Sequence, residues 1–69
     1  MNAEQLKTLR RRLKLSVNEL AEALKLSPAH GGRKVRRWED GELPISGPAE
    51  VALEALAAGF IPSHMEGKL

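Results

Sequence analysis

Leu15-Ser16-Val17-Asn18-Glu19-Leu20 decides the fold, because it packs a complete helix-start signal into one short stretch. The Ser16 hydroxyl can accept from the Glu19 amide, the Glu19 carboxylate can reach back to the Ser16 amide, and Leu15 can staple onto Leu20. A helix therefore starts here and runs to about Lys25. It buries Val17, Leu20, Ala21 and Leu24 and leaves Glu19, Glu22 and Lys25 in water. Upstream, Asn2 with Gln5 forms a second capping box, and Ala3, Leu6, Leu9 and Leu13 recur at helical spacing, which predicts a helix over residues 3 to 14. The link at residues 14 to 16 is short enough to force the two helices together.

Downstream, Ser27-Pro28 has the form of an N-cap and first helical residue, yet Gly31-Gly32 comes next and is a poor helix former. Two starts compete. The favoured one is a turn or short helical fragment over residues 27 to 31, then a helix over about 33 to 40 that buries Val35 and Trp38 and stops at Gly41. Residues 44 to 48 hold Pro44, Gly47 and Pro48 and cannot continue a helix, so they belong to a connecting loop. Ser46 or Gly47 caps a fourth helix with Pro48 in its first turn. Val51, Ala52, Leu53, Ala55, Leu56 and Ala58 carry that helix to Gly59.

The expected architecture is all-α, a compact bundle of four to five short helices. It forms one domain over residues 1 to 61, then a polar, frayed tail from Pro62 to Leu69. The fourth helix is apolar on more than one face. Three other short helices cannot cover Val51, Leu53, Leu56, Phe60 and Ile61 together, so these residues are assigned to a homodimer interface.

Sixty-nine residues without cysteine leave packing, or a partner chain, to hold the fold. No apolar run approaches a membrane span or a signal core, and the absence of cysteine tilts the expected location toward the cytoplasm. Net charge is only +2, but it is unevenly spread. Residues 1 to 37 hold ten Lys and Arg against Glu4, Glu19 and Glu22, whereas from Trp38 onward Lys68 alone faces six acidic residues. Such polarity suits a basic face on phosphate with the acidic half turned away, although a plain solvated surface has the same composition. His30 and His64 are too few and too far apart for a metal site, and no cofactor is expected. No nucleophile with a matched base, paired carboxylates or phosphate-binding glycine loop is present, so an enzyme is not expected.

Three stretches in order carry a family resemblance. Leu6 to Leu9 with Arg10 comes first, then Leu15-Ser16-Val17-Asn18-Glu19-Leu20-Ala21, similar to an "LSQxELA" second helix. Val35-Arg36-Arg37-Trp38-Glu39-Asp40-Gly41 is the third, similar to a "VxRWExG" recognition helix. Over residues 4 to 58 the chain resembles the Cro-type (XRE family) helix-turn-helix transcriptional regulators, in particular small phage-like or mobile-element members. It departs from them between Ser27 and Val35, where His30-Gly31-Gly32 lengthens the turn.

The resemblance implies a lambda-repressor-like domain that binds double-stranded DNA as a homodimer on an inverted repeat, with the helix at 33 to 40 in the major groove. It implies base contacts from Arg33, Arg36 and Arg37, and phosphate contacts from Ser16, Val17, Asn18, His30, Gly32 and Lys34. Arg10 and Glu39 would form a buried ion pair between the first and third helices. The implied activity is repression by promoter occlusion, with no small-molecule ligand. An antitoxin or protein-interaction module built on the apolar fourth helix, or a non-specific nucleic-acid binder, is the alternative.

Overall fold

Four α-helices match the sequence pattern in a computed structural model that describes residues 1–67: α1 (Ala3–Arg12), α2 (Val17–Ala23), α3 (Gly31–Glu39) and α4 (Gly47–Ala57). A 3-10 turn, Ser63–Met65, closes the chain, and no strand occurs among the described residues. Both capping boxes form. Asn2 Oδ1 accepts from the Gln5 amide at 2.8 Å and Gln5 Oε1 from the Asn2 amide at 2.9 Å. Ser16 Oγ accepts from the Glu19 amide at 3.1 Å and Glu19 Oε1 from the Ser16 amide at 2.8 Å.

All four helices stop the same way. The residue after the C-cap turns left-handed, and the next amide bonds back five residues, which satisfies the last carbonyls. Gly41 and Gly59 do this at α3 and α4, with φ of 77° and 97°. Lys14 and Lys25 do it at α1 and α2, with φ of 58° and 56°. The expectation that the first two helices run to Lys14 and Lys25 is therefore corrected. Each lysine is the left-handed stop rather than a last helical residue.

Leu6, Leu9, Leu15, Leu20, Val35, Trp38, Leu53, Leu56 and Met65 make up most of the core. Two expectations fail there. Leu53 and Leu56, expected at a dimer interface, are 0% and 4% exposed and are used up within the chain's own core, because the face of α4 that carries them lies on it. Frayed polar tail is also the wrong description from Pro62 onward, since Met65 is 0% exposed and completes the core. A single apolar residue among Ser, His and Glu has no periodicity to announce it. His64 fastens the same turn, its Nε2 donating to the Glu22 carbonyl of α2 at 3.0 Å. The rest of the expected tail, residues 68 and 69, lies outside the described residues.

The turn after α2 occupies Pro28 to His30, and α3 begins at Gly31, two residues before the expected start. Gly31 and Gly32 are not a flexible interruption. Both are buried in the first turn of α3, where the backbone passes hard against α2. A Cβ on Gly31 would lie 2.8 Å from Leu26 Cβ and 2.9 Å from Ala21 Cβ, and one on Gly32 would overlap Asn18 Oδ1. Helix propensity disfavours glycine here by about 1 kcal/mol, and the close approach of α2 outweighs it.

Candidate nucleic-acid interface

Three anchors fix the orientation of α3. Val35 and Trp38 enter the core at i and i+3, and Glu39 beside them is buried. The Glu39 carboxylate takes Arg10 of α1 in a two-pronged grip, Nε to Oε2 at 2.5 Å and Nη2 to Oε1 at 3.1 Å. Arg10 Nη1 also donates to the Leu15 carbonyl at 3.0 Å, so the guanidinium ties α1, the α1–α2 turn and α3 together. These hydrogen bonds to Glu39 hold the Arg10 pKa above its ordinary value, against an opposing effect of burial. The ion pair expected between Arg10 and Glu39 is present.

With 35, 38 and 39 inward, helical geometry at about 100° per residue turns positions 33 and 37 directly outward. Positions 34 and 36 lie on the two flanks. Arg33, Lys34, Arg36 and Arg37 are all exposed. A groove beside α3 is lined by His30, Arg33, Lys34 and Arg37 together with Leu26 and Leu43. Lys34 Nζ lies 5.8 Å from the Trp38 ring centroid, within cation–π range, which spreads this chain along the flank. Trp38 itself is core, as expected, with its Nε1 buried and without a hydrogen-bond partner among the described residues.

The candidate phosphate residues divide. Ser16 and Asn18 are exposed and Val17 is half-buried at the start of α2. The capping box occupies the Ser16 and Glu19 amides, while the amides of Val17 and Asn18, in the first turn, have no intrahelical acceptor. His30 is exposed at the N-cap of α3 and makes no side-chain cap there. Gly32 does not fit a phosphate role. It is buried under Asn18, and its lack of a side chain serves helix packing.

Two further contacts have no counterpart in the sequence pattern. Arg12 Nη2 donates to the Ala57 carbonyl at 3.1 Å, so this arginine closes the end of α4. Glu42 Oε2 stands 3.5 Å from Arg37 Nε, at the outer edge of the basic helix. Neither spacing, 45 residues or five across a helix end, has a sequence signature. Among the described residues the exposed large apolar side chains are Val51, Phe60 and Ile61, at 68%, 66% and 42%. Among the described residues no group of three or more His, Cys, Asp or Glu could hold a metal, and no helix is long and apolar enough to cross a membrane. No family model, curated protein or solved structure matches the chain.

Proposed function

We propose that the chain is a sequence-specific double-stranded DNA-binding regulator in which α2 and α3 act as a helix-turn-helix and α3 enters the major groove. One observation carries this reading: α3 is anchored on its inner face by Val35, Trp38 and Glu39 and presents Arg33 and Arg37 outward, flanked by Lys34 and Arg36. A helix fits the major groove, and an arginine fork matches guanine O6 and N7.

Arg33 and Arg37 are the base-reading residues in this proposal. Arg36 and Lys34 reach the groove walls, and the α2 start at Val17 and Asn18 approaches a neighbouring phosphate. Val51, Phe60 and Ile61 supply the contact surface of a homodimer, and occlusion of a promoter by that dimer is the regulatory act. The resemblance to Cro-type regulators agrees with this assignment.

Gel-shift titration of the full chain on the DNA upstream of its own gene, against a scrambled duplex, tests the proposal. Strong preference for the upstream DNA is expected. Equal affinity for both would leave only non-specific binding through the backbone. Arg37→Ala should cost about 1–3 kcal/mol and relax preference at one base position, whereas Lys34→Ala should weaken every sequence alike and reduce the salt slope by about one unit.

A further inference from the structure

Among the described residues, Arg37 differs from the other outward cations of α3 in meeting one acidic residue, Glu42, through both a backbone hydrogen bond and an ion pair. Gly41, left-handed at φ 77°, folds the chain back over the end of α3, so the Glu42 amide donates to the Arg37 carbonyl at 3.0 Å. That backbone bond sets residue 42 beside residue 37, and the Glu42 carboxylate then reaches Arg37 Nε at 3.5 Å. Both side chains are more than half exposed, so the pair adds little stability. Its effect is on direction. The contact is electrostatic rather than a hydrogen bond, and a carboxylate on the Nε side favours rotamers that turn Nη1 and Nη2, the pair of donors that matches guanine O6 and N7, away from Glu42.

The same carboxylate argues against a phosphate as the partner of Arg37, since Glu42 and a phosphate would then be two anions on one cation. A base edge carries acceptors without a full negative charge, and guanine presents two of them. We propose that Glu42 is a positioning residue that commits Arg37 to reading a guanine, and so sets specificity at one base pair without touching DNA. The assignment rests on the DNA-binding function proposed for α3.

Selection from a random-sequence duplex library tests it, with the wild-type chain, Glu42→Gln, Arg37→Ala and the double variant carried in parallel and folding checked by circular dichroism. Wild type is expected to enrich a motif containing a guanine that Arg37→Ala no longer requires. Glu42→Gln should relax preference at that position by about tenfold and leave the other positions as they were. Its affinity for scrambled duplex should hold or rise, because an anion has been removed near a polyanion. The double variant should select the same motif as Arg37→Ala. An unchanged motif in Glu42→Gln overturns the positioning role and leaves the DNA-binding reading intact. A further change of motif when Glu42→Gln is added to Arg37→Ala also overturns it, because Glu42 would then be acting on DNA by itself. If the wild-type chain enriches no motif at all, the sequence-specific reading fails, and this assignment with it.

Discussion

Arg10 and Glu39 stand 29 residues apart and meet because α1 and α3 share a core. Glu39 keeps 6% of its side-chain surface in water and Arg10 keeps 19%, so loss of the partner leaves Glu39 nearly without solvent and Arg10 only partly solvated. Glu39→Gln should therefore destabilise the fold by roughly 2–4 kcal/mol, near the lower end of a broken buried pair because Arg10 stays partly wet. Thermal unfolding of the two proteins measures this. A folded-state pKa raised above the unfolded value, as for Arg10, gives stability that is complete below the unfolded value and is lost only as pH climbs through the folded one. Arginine titrates above the usual buffer range, so the stability difference between the two proteins should stay flat from about pH 7 to about pH 10. A fall within that window would mean that another group controls the pair. The pairing was legible through the resemblance, whereas Arg12 on the Ala57 carbonyl was not, because a carbonyl acceptor carries no residue identity.

Helix starts were legible where a capping box marks them, at α1 and α2, and helix stops only where glycine marked them. The Asn2 and Ser16 boxes are local side-chain chemistry, complete within four residues, and both form as read. Lys14 and Lys25 gave no such notice, since the packing of the next segment, rather than lysine's own preference, imposes the left-handed conformation. Lys25→Gly should relieve that conformation and raise stability by about 0.5–1 kcal/mol, less the entropy that glycine adds to the unfolded chain. At the α2–α3 contact the opposite substitution is informative. Gly31→Ala improves helix propensity yet places a methyl against Leu26 and Ala21, neither of which has a flexible end to yield. Its net effect should be a loss of about 1–2 kcal/mol. Gly32→Ala meets mainly the Asn18 side-chain amide, Oδ1 and Cγ, which can swing away, and should cost less. Chemical denaturation of the pair checks the order; a more stable Gly31→Ala would show that α2 and α3 have room between them.

For the molecule as a whole, the closing segment is part of the fold. Met65→Ala should cost about 2–5 kcal/mol, as expected for a large side chain removed from a small core, and removal of residues 62 to 69 should cost at least as much. Unchanged melting of either would restore the frayed tail. Phe60→Ser should leave the melting of the chain nearly unchanged, since the residue is 66% exposed, and should weaken self-association measured by sedimentation if α4 and the residues after it form the proposed dimer contact. The same substitution at Leu53 would unfold the chain instead, which separates the two roles that the sequence left merged.

Periodicity and capping determined the all-α class, the order of the helices, the starts of the first two and the inward placement of Val35 and Trp38. Each of these is fixed within one turn of helix or by one face of one element, so a linear pattern contains it. Tertiary structure decided why Gly31 and Gly32 begin α3 and which apolar residues of α4 remain exposed. It also decided that Met65 closes the core and that Glu42 stands beside Arg37. Those depend on distances between elements, and packing chooses such distances only once several helices have met.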